Sequence, residues 1–91
     1  MYARHRNDNN KASIIKRLRE AGCIVSDMSQ SGNGFPDLLV QREPGHKVWW
    51  PIEIKGEDLS LTPAEQKWWD AAGCKPIVAT SPETALAIVG L

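Results

Sequence analysis

Apolar residues recur at helical spacing early in this chain and alternate with polar ones in its middle. Ala12, Ile15 and Leu18, with Ile14 beside them, form a helical stripe. Asp8 or Asn9 can cap that helix, which runs to about Ala21, and Gly22 ends it. Residues 23–28 read as a first strand and 29–36 as a turn-rich loop. Residues 37–41 form a second strand. Glu43-Pro44-Gly45-His46 then makes a hairpin to a third strand over 48–55. Pro51 inside that strand requires an edge position, a bulge, or an N–H facing away from any partner.

The second half returns to helical spacing. Thr62 is an N-cap, Pro63 takes the first helical position, and Glu65 stands three residues after the cap. This helix runs to about Ala72, where Gly73 stops it. Residues 75–80 form a fourth strand. Ser81 caps a last helix over 82–89, with Thr84 where a complete capping box would carry Glu or Gln. Glu83 places a negative charge in its first turn. The order is α-β-β-β-α-β-α, a small α/β or α+β sheet flanked by helices.

At 91 residues the chain fits one domain, and it shows no internal repeat. Residues 1–7 read as a basic N-terminal arm and 8–91 as the domain. No apolar run approaches the roughly 20 residues that cross a membrane. The start lacks the apolar segment of a secretory signal, so the expected location is cytoplasmic. Cys23 and Cys74 match no zinc spacing and read as reduced thiols, although spacing alone does not exclude a disulfide.

Eleven basic and eleven acidic residues balance. They are unevenly placed. Arg4, Arg6, Lys11, Lys16, Arg17 and Arg19 stand against only Asp8 and Glu20 in the first twenty residues. A basic arm and helix suit a phosphate backbone, and equally suit a solvated helix face.

The candidate chemistry lies at the strand ends. Asp37 opens the second strand. Glu53 and Lys55 lie near the end of the third, fifteen residues intervening between Asp37 and Glu53. Strand side chains alternate faces, so Glu53 and Lys55 share one face while Ile52 and Ile54 join Leu38 and Val40 in a core. Adjacent strands can bring Asp37 to Glu53. Two carboxylates and a backbone carbonyl such as that of Ile54 supply oxygen ligands for Mg²⁺, with Mn²⁺ as substitute. Lys55 can orient a water or stabilise charge on a phosphate. Ordinary strand ends carry the same residue types.

Gly34-x-Pro36-Asp37-Leu38-Leu39-Val40, Ile52-Glu53-Ile54-Lys55 and Leu61-Thr62-Pro63-x-x-Gln66 together resemble the PD-(D/E)XK nuclease superfamily. More narrowly, the chain is similar to the virus-type replication-repair nuclease (VRR-NUC) domain of phages and prophages, from about Asp8 to Gly90. The resemblance implies a restriction-endonuclease-like core and a Mg²⁺-dependent DNA endonuclease, selective for branched or four-way junction DNA. It implies Asp37 and Glu53 as metal ligands, Lys55 as the catalytic lysine, and Gln66 as a supporting residue. Where many members carry a first-helix glutamate that joins the metal site, this chain has Asn10 as the candidate metal ligand, with Asp8 as second candidate. It further implies a homodimer, and a phage or prophage protein in a bacterial host.

Arg4, Arg6, Lys11, Lys16, Arg17, Ser29 and Ser31 are the candidate DNA contacts. Gly32-Asn33-Gly34 permits close backbone approach to a phosphate. Trp50 shares parity with Ile52 and Ile54, and Trp68 falls on a helical stripe with Leu61, Ala64 and Ala72, so both should face the core. That leaves Trp49 and Trp69 for a second subunit or for bases. His5 and His46 read as surface residues. The rival readings are a nuclease-fold DNA-binding module that cuts nothing, and a protein-interaction module.

Overall fold

The computed structural model describes the backbone of residues 2–91 and the side chains of residues 9–91. In chain order the elements are α1 (Tyr2–Glu20), β1 (Ile24–Asp27), β2 (Leu38–Gln41), β3 (Trp49–Ile54), α2 (Pro63–Ala72), β4 (Val78–Ala79) and α3 (Pro82–Ile88). The expected order holds. Helix α1 begins at Tyr2, however, rather than at Asp8 or Asn9, because no glycine or proline interrupts the segment taken for an arm. The side chains of Arg4, His5, Arg6 and Asp8 lie outside the described residues.

The strands form one sheet in the order β1-β2-β3-β4. β1, β2 and β3 run antiparallel, with Val25 opposite Val40 and Val40 opposite Trp50. β4 lies parallel to β3, so α2 is the crossover between them. The register explains Pro51. Glu53 and Lys55 donate their N–H groups to Ile77 and Ala79 on the β4 side. Pro51 shares their parity, but it lies before the stretch of β3 that β4 reaches. It sits where an N–H would have no strand partner.

One sheet face carries the core. Ile14 and Leu18 of α1, Val25, Leu38, Val40, Ile52, Ile54, Ala79, and Ala85 and Val89 beside them pack into a single cluster. Helices α1 and α3 cover this face. The buried line on α1 is Ile14–Leu18, with Ile15 partly buried and Ala12 exposed. Extended back one turn, that line places Asn10 over the ends of β3 and β4. At α3 the capping box is complete after all, because the Thr84 hydroxyl accepts the Ser81 N–H at 3.0 Å while Ser81 Oγ accepts the Thr84 N–H at 3.1 Å.

Helix α2 packs on the opposite face. Its N-cap is the expected one: Thr62 Oγ1 accepts the Glu65 N–H and Glu65 Oε1 accepts the Thr62 N–H. The inward phase differs from the expected stripe. Trp69 is fully buried, Trp68 only partly, and Ala64 and Ala72 are exposed. Trp50 is also only partly buried, packing on the core from the hairpin end. Cys23 is buried and Cys74 exposed, both as free thiols. Among the described residues, no helix is long and apolar enough to cross a membrane.

Candidate active site

The end of β2 and the end of β3 meet where the sheet ladder changes character. Asp37 lies one residue before β2 and substitutes its side chain for the next rung. Its Oδ2 accepts the Ile54 N–H at 2.8 Å. This bond ties the carboxylate to β3 beside Glu53. In an extended strand the N–H and C=O of one residue point to the same side, so the Ile54 carbonyl faces the same edge as Asp37.

Glu53 is completely buried, on the face away from the main core. Its Oε2 accepts the Trp69 indole N–H at 3.3 Å. Its Oε1 is buried and, among the described residues, has no hydrogen-bond partner. Burial pushes the Glu53 carboxyl up to about 8. The neighbouring Asp37 carboxylate adds to that, and the Trp69 N–H works against it. A buried carboxyl beside another, with one oxygen unpartnered, is the environment a cation would relieve.

Lys55 continues the same face. Its Nζ lies 2.8 Å from Glu65 Oε1, and both side chains are largely shielded from solvent. Glu65 Oε1 therefore serves two donors, the Lys55 ammonium and the Thr62 N–H of its own helix cap. Burial pushes Glu65 up, but Lys55 and Thr62 outweigh it and hold the carboxyl below the ordinary glutamate value. Sequence reasoning gave Glu65 only the cap. The signal was available, since the third residue after a cap can face the strand that precedes the helix.

Gln66 is not brought to this cluster. It is exposed, and its Nε2 donates to Asp70 Oδ1 at 2.9 Å, one turn along the outer side of α2. Asn10 reaches the neighbourhood differently from a ligand. Its Nδ2 donates to the Lys55 and Thr80 carbonyls, at 3.2 Å each, and so ties α1 to the ends of β3 and β4. Among the described residues no three His, Cys, Asp or Glu side chains form a metal-holding group. A cation here would draw on the two carboxylates, a backbone carbonyl and water.

The loop before Asp37 is held against α2. A Cβ on Gly34 would lie 2.2 Å from the Ala64 carbonyl oxygen, and Gly34 has φ +76. Phe35 packs edge-on to Trp68 at 5.3 Å, and Trp68 packs edge-on to Trp69 at 4.9 Å. Gly34 is therefore spent on helix–loop packing.

The candidate DNA contacts separate into two groups. Lys11 Nζ bonds Ser29 Oγ at 3.0 Å and pairs with Asp27 at 3.3 Å, while Ser29 bonds Asp27 through its N–H and hydroxyl. These residues pin the loop to α1. Lys16, Arg17 and Ser31 are exposed.

A search among solved structures finds a VRR_NUC domain with a TM-score of 0.64 and 25% sequence identity, covering 91% of this chain and 92% of that chain. This chain folds as a VRR-NUC domain. Neither a scan against protein-family models nor a search among curated proteins gives a match. On this fold Asp37 and Glu53 meet at the ends of β2 and β3, with Lys55 following on the Glu53 face. The parallel β4 supplies the second ladder that holds the Glu53 and Lys55 backbone in place.

Proposed function

We propose that this VRR-NUC domain is a Mg²⁺-dependent DNA endonuclease that hydrolyses phosphodiester bonds. The observation that carries the reading is the buried Glu53 beside Asp37, with one Glu53 oxygen lacking a partner among the described residues. Hard oxygen donors of this kind suit Mg²⁺ or Mn²⁺. Asp37, Glu53 and the Ile54 carbonyl would hold the ion. Once bound, the cation supplies charge that polarises a phosphodiester oxygen and acidifies water.

The protein's own residues do the rest. Lys55 presents a positive charge at the same edge, aimed by Glu65, for a phosphate oxygen or an attacking water. Asn10 holds the Lys55 backbone in place from α1. Shielding of the Lys55–Glu65 pair lowers the local dielectric response and strengthens these interactions.

Branched or four-way junction DNA is the proposed substrate and a homodimer the proposed assembly. Both rest on the family resemblance. Trp49 supports the dimer: it is 45% exposed, in one register row with Gln41 and the 39% exposed Ile24, on the sheet face that bears the carboxylates. Buried Trp69 is not available for such a contact. Lys16 and Arg17, exposed on α1, are suited to phosphates.

The test is cleavage of a labelled four-way junction in Mg²⁺ or Mn²⁺ by the wild type and by Glu53→Ala. The expected result is cutting that depends on the metal and is lost in the variant. Salt-dependent DNA binding without cutting under any metal condition would leave a non-catalytic DNA-binding module instead. Absence of any DNA affinity would leave a protein-interaction module. Sedimentation at micromolar concentration tests the dimer, which a monomeric species would refute.

A further inference from the structure

We propose that Trp69 is a positioning residue for Glu53: its indole N–H pins Oε2, so that Oε1 is the oxygen presented to a divalent cation. The inference rests on the nuclease reading above and extends it to helix α2.

A carboxylate at the end of a glutamate side chain rotates over a broad, roughly two-fold range. In a buried site that freedom would blur which oxygen faces a ligand. Here it is removed. Trp69 has no solvent exposure, so its single polar atom needs an acceptor inside the protein. Glu53 Oε2 is that acceptor at 3.3 Å. With Oε2 engaged, the direction of Oε1 follows, and Oε1 has no partner among the described residues.

Trp69 is in turn held by its surroundings. Trp68 lies edge-on against it with an interplanar angle of 80°, and Phe35 lies edge-on against Trp68 at 73°. Phe35 is two residues before Asp37. The same aromatic row that fixes Trp69 therefore locates the loop that delivers Asp37. Glu65 lies one turn before Trp69 on the same helix and holds Lys55. Helix α2 thus anchors Glu53 of β3 and Lys55 just after it, each through one side chain.

A space-filling role for Trp69 would explain its burial without any link to a cation. Mn²⁺ binding, followed by electron paramagnetic resonance of the free ion, separates the two. Trp69→Phe keeps an aromatic ring and deletes the N–H. We expect it to weaken Mn²⁺ binding about tenfold or more, the usual size for losing a partner of a metal-binding side chain. Trp50→Phe, on the other sheet face, should leave the affinity unchanged.

Because Trp69→Phe removes buried volume, a second measurement uses the intact chain. In ¹H–¹⁵N spectra, Mg²⁺ should shift the Trp69 indole cross-peak more than those of Trp49, Trp50 and Trp68. In Glu53→Gln that shift should vanish while the cross-peak remains. Unchanged Mn²⁺ affinity in a folded Trp69→Phe protein overturns the inference, as does an unmoved Trp69 cross-peak in a protein that binds metal and cuts DNA. Either result leaves the nuclease reading standing. A wild type that binds no Mn²⁺ and cuts nothing overturns both.

Discussion

The metal-free protein should lose stability as pH rises from about 5 to 8, and Glu53 should be the reason. Its carboxyl lies at about 8 in the fold, against an ordinary glutamate value of 4.5. The folded state therefore holds a proton that the unfolded chain releases first. Stability is fully present below the unfolded value. It declines as pH rises between the two values, and the loss is complete above the folded one. At about 1.4 kcal/mol per pH unit, the ceiling is roughly 5 kcal/mol. Side-chain rotation and water entry in the ionised state reduce this to about 2–3 kcal/mol. Against a net stability of roughly 5–15 kcal/mol for a small domain, the effect is readily measurable. The assay is urea unfolding at half-unit pH intervals in EDTA, wild type against Glu53→Gln. Subtracting the variant removes the histidines and the remaining carboxylates. The variant should be the more stable of the two at pH 8, and the two curves should converge near pH 5. Mg²⁺ should restore the wild type at pH 8, by about 1.4 kcal/mol at ten times its dissociation constant, and should do little for the variant. A wild-type stability that is flat or rising over this window relative to Glu53→Gln would refute the buried-carboxyl argument.

Other perturbations probe the supports around that carboxyl. Gly34→Ala should cost about 1–3 kcal/mol in urea unfolding and reduce cleavage, because its Cβ would meet the Ala64 carbonyl at 2.2 Å and α2 cannot yield without moving Trp69. Asn10→Ala should cost about 1–2 kcal/mol by leaving the Lys55 and Thr80 carbonyls without their donor. Asn10→Asp should cost more, since a carboxylate would face both carbonyls, and thermal unfolding of the three proteins ranks them. Glu65→Ala should lose about 1 kcal/mol of helix capping and most cleavage activity. By contrast, Gln66→Ala should stay within about 0.5 kcal/mol of wild type and cut normally, as measured on the same junction substrate.

The sheet was legible in the sequence because its two devices are local. Alternation of Ile52, Glu53, Ile54 and Lys55 assigns faces, and the tight connection at Glu43–His46 makes β2 and β3 neighbours. That alone brings Asp37 to Glu53. Helix α2 was misread for a physical reason. A stripe chosen for apolar content runs through Leu61, Ala64, Trp68 and Ala72, and assumes an apolar surface beneath the helix. The surface beneath α2 is polar: Glu53 and Lys55. Its complement is a carboxylate and an indole N–H, which is what Glu65 and Trp69 provide. Hydrophobic periodicity fails where a site replaces a core. Gln66 was placed instead by a family pattern, which goes by residue type rather than by helix phase, and it faces outward on α2. Helix α1 began early because a polar, basic segment without a breaker carries no stop signal.

Asn10 then makes sense in terms of charge. The cluster already contains Asp37, Glu53 and Glu65 against the single positive charge of Lys55. Fully ionised, it carries two negative charges, which one divalent cation would neutralise. With Glu53 protonated it carries one, so uptake of a divalent cation would release a proton. An acid at position 10 would add a further negative charge at the ends of β3 and β4, close to Lys55 in the chain that follows Glu53. It would also set a carboxylate against the Lys55 and Thr80 carbonyls, where an amide N–H₂ now donates. The amide at this position thus does two things that a carboxylate could not. It closes the ends of β3 and β4 onto α1, and it adds no charge to a region already rich in carboxylates.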